Sequence, residues 1–146
     1  MENITKDKKV NKNIIIAVVV IVVAIVAAVI YMNVSKNNNK KVLETSLTEM
    51  GKNFYENFYY EQIGSSSDER SSLLSKFSTI GIKIDLDNLG RYNNGEFKDE
   101  ISKFQNSKTK EKCNKTNTKV TIYPKSPYGK TDYTIKTKLD CGFDEK

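Results

Sequence analysis

Apolar residues are distributed very unevenly along the chain. From Ile14 to Met32 it runs IIIAVVVIVVAIVAAVIYM, 19 residues without a charge. As a helix rising 1.5 Å per residue this reaches about 28 Å, close to the hydrocarbon thickness of a bilayer. The expectation is a transmembrane helix over 13–32, preceded by a basic tail (1–12) and followed by a polar linker (33–40) containing Asn-Val-Ser-Lys-Asn-Asn-Asn. After the linker the pattern becomes amphipathic. Leu43, Leu47, Met50, Phe54 and Phe58 recur at spacings of four, three, four and four, which places them on one helical face from about Lys41 to Ile63. Tyr55 and Tyr59 flank that face, Tyr60 points away from it, and Gly64 suits a C-terminal stop. Ser66 with Glu69 three residues on reads as a capping box for a second helix, which carries Leu73, Leu74 and Phe77 and ends near Gly81. Ile82, Ile84 and Leu86 alternate as in a short strand, and Phe97, Ile101 and Phe104 predict a third helix from about Asn94 to Asn106.

The last forty residues read differently. TKVTIY and DYTIKTKL are rich in β-branched and aromatic residues and flank Ser126-Pro127-Tyr128-Gly129. Ser at i, Pro at i+1 and Gly at i+3 suit a type I turn, so a β-hairpin is expected. A two-residue turn on Pro127-Tyr128 would set Val120 opposite Ile135 and Ile122 opposite Tyr133. Helices followed by strands make the fold class α+β: a transmembrane helix, then a domain (41–146) of about three helices and a C-terminal hairpin or small antiparallel sheet.

Composition narrows the chemistry. The chain has 146 residues with 22 Lys, two Arg, 15 Asn and no His. Without histidine, Ser-His-Asp and Cys-His nucleophilic systems are excluded, and most zinc sites with them. No cofactor is expected. The bias towards Lys, Asn and Ile points to an AT-rich bacterial genome. Cys113 and Cys141 are the only cysteines, and in an exported domain they are expected to form a structural disulfide. The hairpin ladder, continued, would turn the two cysteines to opposite faces. A bridge therefore requires the first strand to break between Asn114 and Thr118, with Cα atoms about 5.5 to 6 Å apart.

Charge divides the domain. Residues 42–102 carry six basic and eleven acidic side chains, whereas 103–138 carry ten Lys against Glu111 and Asp132. Upstream, Lys6, Lys8, Lys9 and Lys12 precede the apolar span and Lys36, Lys40 and Lys41 follow it, favouring a cytoplasmic N-terminus and an extracytoplasmic domain. Cleavage near Val26-Ala27-Ala28 and secretion is the alternative. The expected partners are the bilayer, through 14–32, and an anionic envelope polymer, lipid headgroups or another envelope protein. No nucleic acid is expected. Lys125, Tyr128 and Lys130 at the hairpin tip, together with Tyr60, are the candidate contact residues. Asp85, Asp87 and Glu96 partly overlay a calcium-loop pattern, with Leu89 standing where a side-chain oxygen should be.

A short basic leader, an apolar helix, an amphipathic helix and strands with a late cysteine pair together resemble the layout of type IV pilins. That layout implies a structural subunit of an envelope assembly. Pilins carry Gly immediately before the mature helix and Glu at its fifth position; Asn13 and Val18 stand there in this chain. Three functions follow as expectations: a membrane-anchored binding module, a pilin-like structural subunit, and an enzyme working through carboxylates or Lys.

Overall fold

A computed structural model describes residues 38–143. The expected transmembrane segment, the basic tail and most of the linker lie outside the described residues. Among the described residues no helix is long and apolar enough to cross a membrane. The fold of the described part is α+β, as expected. Helix α1 occupies 38–62 and contains a π-helical turn, Tyr55–Tyr59, before its last residues Tyr60–Gln62. It is followed by α2 (Ser67–Phe77), β1 (Ile82–Asp85), α3 (Leu86–Arg91), a 3-10 turn (Tyr92–Gly95), α4 (Lys98–Ser102), β2 (Lys119–Pro124) and β3 (Tyr133–Lys138). The three strands form one antiparallel sheet in the order β1-β2-β3.

Helix α1 buries the face its hydrophobic spacing predicts over most of its length and departs from it near its C-terminal end. Leu43, Leu47 and Met50 are buried as expected, but the next fully buried side chain is Tyr55, and Phe58 is 45% exposed. The deciding residue is Gly51, which lies in the buried seam. A Cβ there would come within 2.5 Å of Val120 Cγ1, so glycine lets the helix approach the centre of β2. Leu47, Gly51 and Tyr55 then share the contact line at four-residue spacing, and Phe58 is carried off it.

Helix α2 begins as its capping box predicts. Ser66 Oγ accepts from Glu69 N at 3.2 Å, while the Glu69 carboxylate accepts from Ser65 N (2.9 Å) and Ser65 Oγ (2.6 Å). These bonds to Ser65 hold the Glu69 carboxyl below its ordinary range.

Two expected elements are shorter than their patterns. Leu86 does not extend the strand: Asp85 Oδ1 accepts from Asn88 N at 2.8 Å and caps α3, of which Leu86 is the first residue. The third helix does not run from Asn94 to Asn106. Asn93 and Asn94 adopt positive φ (44° and 57°), a conformation asparagine tolerates, and regular helix exists only over α4.

The hairpin register also differs from expectation. Ile122 faces Ile135 and Val120 faces Thr137, while Tyr133 faces Pro124. The turn is not type I. Tyr128 N donates to Lys125 O at 2.6 Å across a cis Ser126–Pro127 bond, which puts proline third in the turn, as in type VI. A longer loop, closed by Lys125 N donating to Asp132 O at 2.7 Å, shifts the pairing by two residues. An even shift preserves the faces, so Val120 and Ile122 still point into the core.

Cys113 and Cys141 form a disulfide with Cα atoms 4.1 Å apart, closer than expected. The strand does break where the bridge requires. Asn114 Oδ1 accepts from Thr116 N and Asn117 N (3.1 and 3.0 Å), and Thr118 N returns to Asn114 O at 2.9 Å. Buried Asn106 donates to the carbonyls of Cys141 and Gly142, which ties the loop ahead of Cys113 to the C-terminal segment.

Candidate functional site

The expected contact residues at the hairpin tip are only partly free. Tyr128 is half-buried and packs against the core, and Lys130 Nζ lies 3.4 Å from Glu61 Oε1 at the end of α1. Tyr60, next to Glu61, is covered by the Arg70 guanidinium, 4.7 Å from the ring centroid. The fold thus brings Lys130 beside the Tyr60 turn, and the tip folds back on α1 instead of projecting. Lys125 alone of the four is exposed.

Asp85, Asp87 and Glu96 do not converge as ligands. Asp85 caps α3, and Glu96 accepts from Asn93 Nδ2 at 2.7 Å. Among the described residues no group of three or more His, Cys, Asp or Glu side chains is arranged to hold a metal.

The sheet itself carries a surface that single segments did not reveal. Residues 82 and 84 of β1 and 120 and 122 of β2 point inward and are buried, so the intervening side chains form the outer face. Register assembles that face in rows. Lys83, Thr121 and Lys136 lie side by side, and so do Asp85, Lys119 and Lys138. Lys83, Lys136 and Lys138 are exposed and Lys119 is half-buried. Asp85 is the one acidic residue in these rows, and its carboxylate is engaged in the α3 cap. None of the four lysines makes an ion pair among the described residues. Lys119 stands directly opposite Lys138, an arrangement of like charges that disfavours the strand pair.

Tyr123 completes the face. The Lys136 ammonium sits 5.5 Å from its ring centroid. Gly81 opens the space beside the ring: its φ is 72°, and a Cβ there would lie 2.4 Å from Thr121 Cγ2 and 2.9 Å from the Tyr123 ring. The alternation in IKID and DYTIKTKL already turns the lysines outward. What no local pattern shows is that β1 joins the other two strands, which aligns Lys83 with Lys136.

The opposite charge collects elsewhere. A groove of about 1080 Å³ beside α1 is lined by Glu49, Glu56, Glu96, Asp99 and Glu100, with Lys41 and Lys52. Glu100 accepts from Lys103 Nζ and Ser46 Oγ, both at 3.1 Å, and these bonds hold its carboxyl below the ordinary range. It is kept ionised, the reverse of what a general acid needs. On the sheet side of α1, Tyr133 donates its hydroxyl to Glu56; burial first, and that bond second, raise the phenol above its usual pKa.

Compared with protein-family models, curated proteins and solved structures, the chain finds no match.

Proposed function

We propose that this protein is a membrane-tethered binding module. In this reading the apolar segment 14–32 anchors the chain with its N-terminus in the cytoplasm, and the disulfide-bonded domain holds an anionic polymer of the cell envelope on the outer face of its sheet. The observation that carries it is the set of four lysines without an ion-pair partner among the described residues, Lys83, Lys119, Lys136 and Lys138, which occupy two adjacent rows of one sheet face, with Tyr123 beside Lys136 at one end. An array of point charges suits repeated anionic groups, and the sheet sets the spacing of their backbone attachment points. The large side chain of the face, Tyr123, is covered by the Lys136 ammonium instead of standing free to insert between lipid tails, which favours a polymer over a lipid surface as the ligand. The buried disulfide is in keeping with an oxidising compartment.

The test is retention of the full chain, reconstituted in phosphatidylcholine vesicles, on immobilised polyphosphate. Replacing Lys83, Lys119, Lys136 and Lys138 by Gln should abolish retention at physiological salt. The same number of replacements at Lys52, Lys76, Lys103 and Lys108 should leave most of it. Equal losses in the two variants would mean net charge alone is responsible, and the assigned face would fall. Protease added outside intact cells should degrade the domain; full protection would sink the orientation.

A further inference from the structure

We infer that the cavity enclosed by α3, α4 and the disulfide-bearing loop is a second binding site, for a small ligand with one phosphate or carboxylate on an apolar body. The cavity measures about 490 Å³, within the range of small-molecule sites. Its apolar lining is Leu86, Ile101 and Phe104, of which Leu86 and Phe104 are buried. Its cations are Arg91, Lys98, Lys112 and Lys115, drawn from separate parts of the chain, and Asp87 is the one carboxylate on the lining.

This clustering is more than a result of lysine abundance, because the larger groove beside α1 is predominantly acidic. One of the arginines stands at the rim of the cavity. The chain has only two, and Arg70 is used structurally, donating to Gly64 O at 3.1 Å and covering Tyr60. Arg91 lines the cavity, with Nη2 donating to Asn88 Oδ1 at 3.0 Å. That bond turns one guanidinium edge towards Asn88, which lines the neighbouring hollow with Phe54, Phe58 and Tyr92, so Arg91 stands at the rim between the two and the three lysines carry most of the cavity's charge. An apolar floor with several cations favours a ligand whose body is buried while its anionic group is held. Bare phosphate would leave the floor unused, and a neutral ligand would gain nothing from the four exposed cations at the rim.

Gly90 gives the site a separate handle. It lines the cavity, and a Cβ there would meet nothing nearer than Ile101 Cδ1 at 3.5 Å. A Cβ at this position is therefore accommodated in ordinary contact, and the outer atoms of a larger side chain would occupy space at the cavity wall beside Ile101.

The experiment is amide chemical-shift titration of the full chain in phosphatidylcholine nanodiscs, with phenyl phosphate, inorganic phosphate and phenol as probes. Phenyl phosphate should give saturable shifts at residues 86–91, 98–104 and 112–115, and each of the other probes should bind at least roughly tenfold more weakly. Gly90→Leu should remove the saturable shifts. Lys112→Gln with Lys115→Gln, both exposed and safe for folding, should weaken phenyl phosphate by roughly tenfold. The four-lysine sheet-face variant should bind it unchanged, which separates this site from the polymer-binding face. Linear, non-saturating shifts, equal binding of inorganic phosphate, or full binding by the lysine pair variant would overturn the assignment.

Discussion

Gly51→Ala sets two effects of similar size against each other. In an ordinary helix the change would stabilise by about 1 kcal/mol, because alanine loses less backbone entropy on folding. Here the new methyl would lie 2.5 Å from Val120 Cγ1 and 2.9 Å from Cγ2, about 1 Å inside normal carbon contact. Val120 is fully buried in the central strand, so it cannot swing aside and α1 must lift from the sheet. Overpacking of this kind costs about 1 to 3 kcal/mol. The net expectation is destabilisation by about 1 kcal/mol, a fall in Tm of about 4 to 8 °C for a domain of this size. In a Val120→Ala background the sign should reverse. The space left by the two lost methyls then accommodates the new one, and the helix-propensity gain is realised. Urea unfolding of the four proteins of this cycle, followed by tyrosine fluorescence with the disulfide intact, gives the coupling energy directly. Additive effects, or stabilisation by Gly51→Ala alone, would refute the close approach of α1 to β2.

Replacing Cys113 and Cys141 by Ser opens a loop of about 29 residues, which the chain-entropy estimate values at about 3.6 kcal/mol; differential scanning calorimetry should show Tm lower by roughly 15 °C, and a shift under about 3 °C would mean the bridge contributes little. Burial, the largest cause in both cases, raises the phenol pKa of Tyr55 and Tyr133 in the folded state, so their contribution is complete below the ordinary tyrosine value of about 10 and is lost as pH rises beyond it. Ultraviolet titration of tyrosinate should accordingly show late phenols, Tyr55 and Tyr133 among them, that ionise together with unfolding; eight tyrosines titrating near the ordinary value would contradict this. Tyr133→Phe removes the bond to Glu56 and should cost about 1 kcal/mol in urea unfolding, and an unchanged midpoint would show that bond to be dispensable.

The features legible in the sequence were those with a strong local cause. Ser66 and Glu69 cap α2 because both partners lie within four residues, and the Asn114 turn follows from asparagine's own hydrogen bonding. The disulfide was legible for a different reason: only one pairing was available. Features set by packing at a distance were not legible. Glycine is neither hydrophobic nor polar, so Gly51 leaves no mark in the apolar periodicity, which points to Phe58 instead. The tip of the hairpin read as free because its flanking residues are polar, yet Lys130 meets Glu61, 69 positions away in sequence. The basic face was half visible. Alternation turned Lys136 and Lys138 outward, but only the pairing of β1 with β2 brings Lys83 alongside them. The cationic cavity combines residues from 86 to 115 that share no periodicity, and no local pattern marks it.

The most direct test of the proposed binding face is the salt dependence of its affinity for a linear polyanion. Contact between the four lysines and a polymer of high charge density releases condensed counterions, so the logarithm of the association constant for polyphosphate should fall linearly with the logarithm of salt concentration. Each contacting lysine contributes roughly one unit of slope. The prediction is that replacing Lys83, Lys119, Lys136 and Lys138 by Gln lowers the magnitude of the slope by about three to four, whereas the equally charged control variant changes it by less than about one. If the two variants alter the slope equally, the polymer is held by diffuse net charge and the sheet face is not its binding site.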